Sequence, residues 1–527
     1  WSSAAWAVPQ HAAFSRPRGV AVATSSGDPA LGALLASGGP VAAATSALER
    51  FGRYGRNEVA WQHFGQQLLE HPGLRDLQAE DLKRLVRVLA EGAAVTQKSF
   101  WDGMTERVAP ALERASFEDL LELADMYAKI QAWQKEIFDA LVRRVRADMA
   151  MHWMEPGTLV RLLAVFSRAG SSSRDLGRTA TQLFNEMEER VLDRADDFAP
   201  EDCVVLLESM ARFRAAKLPV LRQLGRECLH EGFSELPGPQ ISAICDSYGM
   251  LGWRHDTVFR SVAGAVLEEH ELMQKARVLQ ETLPSLRYSG SDIALVALAM
   301  LRLKMYRGNT AWFAWTDRYD ELLDVLTQRL DDELPTMQAK PLAAAAFVLG
   351  RARRGTEELH RAMFLQMQKV LEGAADAAEP PQDHLEQFLH GLVMMGPTRK
   401  KDLDTTWLME WLCAHLYTLV LSDFVSINRH LVMLGCFDRQ YLIEVVKFYC
   451  RPDVMRQLKK SDVMELTHTY NGARIREDDM PEGHELDSEN QPYRYGGKHF
   501  FWAIGRQFQK LTAEASGPRR SPLRRLG

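Results

Sequence analysis

Asp119-Leu120-Leu121-Glu122-Leu123-Ala124-Asp125-Met126-Tyr127-Ala128 carries the pattern that decides the fold. With Leu120 as position zero, the chain is apolar at zero and plus three, large and apolar at plus seven, and small at plus eight. At roughly 100° per residue these four positions share one face of a helix. The pattern recurs with position zero at Leu82, Leu120, Leu159, Cys203, Ile241, Ile293, Leu342, Leu385, Ile427 and Val463, at intervals of 36 to 52 residues. Plus seven is large and apolar in all ten repeats, from Leu89 and Tyr127 to Leu434 and Tyr470. Plus eight is small in seven: Ala90, Ala128, Ser167, Ala211, Gly249, Gly350 and Gly435. Plus three is weaker, because Ala345 and His430 depart from it.

A small residue beside a large one lets a neighbouring helix approach closely and seat a side chain. Asp81, Asp119, Asp202, Asp292 and Asp462 stand at minus one, where a carboxylate suits the unpaired N–H groups of a helix start. Each repeat therefore opens with a helix, A. A second amphipathic helix, B, follows, as in Ile137-Phe138-Leu141-Val145, Val258-Phe259-Val262-Val266 and Trp407-Leu408-Trp411-Leu412. Breakers such as Pro156-Gly157, Pro237-Gly238-Pro239 and Pro380-Pro381 separate the repeats. No segment alternates with period two between hairpin turns, so strands are not expected.

One A/B hairpin cannot bury its apolar face alone, whereas stacked hairpins share a core. The reading is an all-α chain: a superhelical, right-handed α-solenoid of about ten hairpins over 78–475. Capping helices are expected over 41–77 and 498–514, the latter with Phe501, Trp502 and Phe508 as its apolar side. Residues 477–489 hold seven acids and no Lys or Arg, more than the whole net charge of −6, and 476–497 reads as a solvated acidic loop. The tail 515–527, with Arg519, Arg520, Arg524 and Arg525, reads as basic and disordered. Residues 1–40 read as disordered. The first 27 carry no acid and are rich in Ala and Ser, which fits the end of a transit peptide or a plain flexible tail.

The chain's 527 residues are 46% hydrophobic, enough for a large core. No apolar run approaches the ~20 residues of a membrane span, so no membrane partner is expected. Cys203, Cys228, Cys245, Cys413, Cys436 and Cys450 form no C-x-x-C pair and read as buried thiols. No phosphate-binding glycine loop, nucleophile elbow or H-E-x-x-H is present. The fifteen histidines are scattered, and His430 and His468 on A helices read as structural. No catalytic residue, metal, cofactor or small-molecule substrate is expected.

A solenoid that follows a phosphate backbone should repeat a cation from one hairpin to the next. Plus nine comes closest, with Lys129, Arg168, Arg212, Arg302 and Arg351. These five are the candidate RNA-phosphate contacts, or else cations that complement the carbonyls of a helix end. Inner-face positions are mostly apolar or acidic, as at Glu122, Asp125, Glu208, Asp246 and Glu386, which suits a protein partner.

Phe117-Glu118-Asp119-Leu120 through Tyr127-Ala128, followed by Ile137-Phe138, resembles organellar helical-repeat RNA-binding proteins. The groups are the heptatricopeptide and octotricopeptide repeat proteins and the leucine-rich region of FAST kinase-like proteins. The chain is also similar to helical-repeat subunits of the mitochondrial RNA-editing substrate-binding complex. Asp202 to Ala211 and Gln240 to Gly249 fit the same pattern, and the resemblance spans about 78–475. It implies a mitochondrial, or else plastid, protein that binds RNA or RNA-protein complexes without catalysis, in RNA processing, editing, stability or ribosome assembly. Its implied partners are RNA and other organellar RNA-processing or ribosomal proteins. The RAP domain common in those families is not recognisable here, which speaks against a nuclease-like or independent role and favours a scaffold within a complex. The alternative function is a protein-binding scaffold subunit of an organellar complex with no direct RNA contact.

Overall fold

The protein is seen in a computed structural model that describes residues 68–75, 77–91, 98–129, 134–147, 154–172, 174–213, 218–227, 236–280, 282, 285–305, 316–373, 381–396, 405–416, 419–486 and 492–515. The expected leader, most of the first capping segment and the basic tail lie outside them. The chain divides into two compact units, Trp1–Met151 and His152–Gly527. Both are helical almost throughout their described residues, and no helix among those residues is long and apolar enough to cross a membrane.

The N-terminal unit holds α1 (Ala79–Glu91), α2 (Lys98–Arg114), α3 (Phe117–Lys129) and α4 (Lys135–Ala147). The C-terminal unit begins with α5 (Pro156–Ser172), α6 (Arg174–Asp193), α7 (Pro200–Phe213), α8 (Leu218–Glu227), α9 (Gly238–Leu251) and α10 (Asp256–Leu279). It continues with α11 (Gly290–Arg302), α12 (Thr316–Glu333), α13 (Ala339–Ala352), α14 (Glu357–Glu372), α15 (Leu385–Met395) and α16 (Thr406–Ala414). Then come α17 (Leu421–Leu434), α18 (Arg439–Cys450), the short α19 (Pro452–Gln457), α20 (Lys460–Gly472), strands β1 (Gly483–Leu486) and β2 (Pro492–Tyr495), and α21 (Gly497–Ala515).

The ends of the A helices show why the pattern recurs. Eight of them (α1, α3, α5, α7, α9, α11, α13 and α20) start three residues before position zero. The minus-one aspartates sit one turn inside that start and reach back. Asp292 Oδ2 accepts from the Ser289 N–H at 2.9 Å while Ser289 Oγ accepts from the Asp292 N–H. Ser116 and Asp119 make the same reciprocal pair. At the other end, the residue at plus eleven turns left-handed: Gly252, Lys304, Arg353 and Arg474 have φ between 53° and 67°. The next N–H then bonds back to the plus-seven carbonyl, as from Trp253 to Tyr248 and from Arg354 to Leu349. This six-to-one bond closes a Schellman turn, and the large plus-seven side chain is the one such a turn packs upon.

Those ends correct one repeat. Helix α17 opens at Leu421, and its left-handed cap is Gly435, at φ 68°. Both mark Phe424, not Ile427, as position zero. The two intervals around it become 39 and 39 residues instead of 42 and 36. Plus three is then the buried Ile427, and His430 no longer breaks the pattern. Gly435 is a cap, not a packing residue. Phe424, Ile427, Leu431 and Leu434 are all buried at helical spacing, so apolar periodicity fits two registers one turn apart.

In the N-terminal unit α1 packs on α3 and α2 on α4. In the C-terminal unit each A helix packs on the next: α5, α7, α9, α11, α13, α15, α17 and α20 make one unbroken series of neighbours. Small residues set how close they come. A Cβ on Gly249 would stand 2.8 Å from Ala299 Cα, and one on Gly350 would stand 2.2 Å from the Gly391 carbonyl oxygen. One on Gly391 would meet the Ala346 carbonyl carbon at 2.4 Å.

Two expectations fail near the C-terminus. The acidic segment contains a two-stranded antiparallel hairpin, with Gly483 opposite Tyr495 and Leu486 opposite Pro492. Strands of four residues are too short for period two to show, and seven acids hide the buried side chain of Tyr493. In α21 the buried face is Phe500, Ile504 and Gln507, spaced four and three residues apart. Trp502 and Phe508 are exposed beneath the cations of Arg506 and Lys460, 5.2 and 5.1 Å from the ring centres. The cysteines also divide: Cys203, Cys245, Cys436 and Cys450 are buried thiols, Cys413 is exposed, and Cys228 lies outside the described residues.

Replacing Gly391 by Ala should destabilise the chain by about 1–3 kcal/mol, because a backbone group cannot yield without moving a helix. Gly505→Ala, with nothing within 4 Å of the new Cβ, should instead stabilise by about 0.5–1 kcal/mol through helix propensity. Urea unfolding of both variants tests the contrast, and equal shifts would contradict the close approach.

Candidate functional site

The polar faces of the A helices are joined from one repeat to the next by ion pairs. In the N-terminal unit Lys83 of α1 lies 2.8 Å from Asp119 and 3.1 Å from Glu122 of α3, and Arg87 also bonds Glu122. The Asp119 and Glu80 carboxylates hold the Lys83 ammonium well above the usual lysine range. In the C-terminal unit Asp246 of α9 is only 2% exposed, yet two later A helices reach it. Arg302 of α11 bonds its Oδ1 at 2.6 Å, and Lys340 of α13 lies 3.0 Å from its Oδ2. Two charge-assisted contacts offset the cost of burying that carboxylate. Arg429 of α17 lies 3.1 Å from Glu465 of α20, and Ser426 bonds the same carboxylate.

These pairs join positions from minus two to plus nine, and Lys83, Arg87, Glu122 and Asp246 among them stand at plus one, plus two or plus five, the positions that the sequence reads as the inner face. The five plus-nine cations do not behave alike. Arg302 is committed to Asp246. Arg168 is half-buried, and its Nε donates to the Ala164 carbonyl in the preceding turn of its own helix. Arg212 and Arg351 are exposed near the ends of α7 and α13. Lys129 ends α3, and its side chain lies outside the described residues.

A second cluster escaped the sequence reading. Glu386 and His390 stand one turn apart on α15, and His430 faces them from α17. One donor atom of each lies within 4.8 Å of the other two. The Nδ1 atoms of His390 and His430 are 4.0 and 3.8 Å from Glu386 Oε1, and the two imidazoles stack with centroids 4.8 Å apart. Phe347 of α13 stands edge-on to His390 at 5.4 Å.

Burial, then His390 and Arg429, pushes the His430 imidazole down to about 3, so it is neutral and forms no ion pair with Glu386. Burial and Arg351 also lower His390, while burial and Asp423 raise Glu386. His430 is 8% exposed, and its Nδ1 makes no hydrogen bond. Such an orphan costs about 1–3 kcal/mol. The sequence did carry a signal: Glu-x-x-x-His on one helix face, with a polar residue on the next A helix. The displaced register of α17 concealed it.

No protein-family model matches the chain, and no curated protein matches it.

Asp246→Asn should cost about 1–3 kcal/mol, since it removes the shared partner of two cations. Combined with Arg302→Gln in a double-mutant cycle, it should show a coupling of about 1 kcal/mol. Additive losses would mean that the pair contributes nothing.

Proposed function

We propose that the chain is a non-catalytic helical-repeat protein of the α-solenoid type that holds protein partners together inside an organellar RNA-protein assembly, without itself gripping RNA. The resemblance of its repeats supports the solenoid, the mitochondrial setting and the association with RNA processing, editing or ribosomal proteins. One observation favours a protein partner over a phosphate backbone. The A-helix cations Lys83, Arg87, Arg302 and Lys340 are spent on carboxylates of other repeats. Cations held this way give up their partner before they can meet phosphate. A balanced, polar surface of this kind offers complementary charge and hydrogen bonding to another protein.

Direct RNA binding is the second reading, favoured by the exposure of Arg212 and Arg351 at the same position of two A helices. Affinity purification with and without nuclease separates the two. A scaffold keeps its partners after nuclease, and an RNA-tethered protein loses them. Titration with single-stranded RNA across a salt series should show no tight, salt-sensitive binding. If such binding does occur, and removing Arg212 and Arg351 makes the salt slope shallower by about 0.7 for each cation lost, the RNA reading replaces the first.

A further inference from the structure

From the convergence of Glu386, His390 and His430 at the contact of two successive A helices, we infer that the chain binds one divalent transition-metal ion of the zinc class there. The two imidazoles and one carboxylate form a donor set that zinc accepts, with three protein ligands and a fourth position left open. Magnesium and calcium prefer oxygen ligands throughout, so nitrogen-rich donors point away from them. The spacing also suits zinc. Ligand atoms about 2.0–2.1 Å from a tetrahedral ion stand roughly 3.3 Å apart. The donors stand 3.8 and 4.0 Å from Glu386 Oε1, and all three lie within 4.8 Å of one another, so each has to move inward by up to about an ångström to meet one ion.

A second, independent observation points to a ligand. His430 is more than nine-tenths buried, and its Nδ1 lacks a hydrogen bond while facing Glu386. A neutral imidazole turned on a carboxylate at a distance too long for a hydrogen bond is explained if both bind a cation between them. The surrounding charges permit it. Arg429 is paired with Glu465, and beside the Arg351 charge that acts on His390 stand the Asp423 and Glu465 carboxylates that act on Glu386. The bound ion would tie α15 to α17. Glu386 and His390 stay partly exposed, so the fourth position opens to solvent, where water or a partner's side chain would complete the shell.

The test uses the full chain after chelator treatment, titrated with Zn2+ against a chromophoric chelator and with Co2+ by visible absorption. One ion per chain, a rise in melting temperature with Zn2+, and a Co2+ spectrum without thiolate bands are the expected results. Glu386→Gln and His390→Ala alter partly exposed side chains and should leave the fold intact by circular dichroism. Each should weaken Zn2+ binding by more than about 100-fold, because even residues that only support metal ligands contribute about 10–100-fold. No binding, a loss below about tenfold in either variant, or thiolate bands that place the metal on cysteine would overturn the assignment. None of these readouts depends on a partner, so the site can fail while the scaffold reading stands, and the reverse.

Discussion

An A helix has one apolar face too wide for its own B helix to cover, and that constraint shapes the rest of the chain. Burying a leucine or phenylalanine side chain is worth about 1.5–3 kcal/mol. Ordering each residue's backbone costs about 1–2 kcal/mol. A single hairpin therefore sits near balance. The plus-seven side chains from Leu89 to Tyr470 are all buried because each A helix is covered by the A helix of a neighbouring repeat. Gly249, Gly350 and Gly391 bring those backbones together more closely than any side chain would allow.

The same stacking explains the charges. Because A helices stack side by side, polar positions of one repeat face polar positions of the repeats near it. Lys83 meets Asp119 and Glu122, Asp246 meets Arg302 and Lys340, and Arg429 meets Glu465. Cations such as Lys83, Arg302 and Lys340 are thus answered by carboxylates of other A helices. Where His390 and His430 face Glu386, burial lowers both imidazoles, and the stacking brings three donor groups together.

Much of this was legible in the residues. Leu120, Leu123, Tyr127 and Ala128 define a face, and eight of the ten A helices begin where that face requires. The minus-one aspartates announced the helix starts, although they act one turn inside the helix and reach back. The hairpin of 483–495 was not legible, because four-residue strands lack a period and the acids around Tyr493 dominate the composition. The face of α21 was misjudged for a related reason. Trp502 and Phe508 are the more conspicuous residues, yet Phe500 and Ile504 are the ones that meet a neighbour.

Local chemistry alone determined the fold class: helical periodicity, capping residues and breakers act within a few residues and leave their mark on the chain. Register and pairing needed the tertiary structure. In α17 two apolar registers fit equally well, and the helix start at Leu421 with the turn at Gly435 selects Phe424 over Ile427. That choice carries His430 toward Glu386 and His390, residues forty or more positions away in the chain, so their convergence depends on how adjacent helices dock. Docking is set by backbone approach and by the ends of helices, and neither is written in the side-chain pattern of any single repeat.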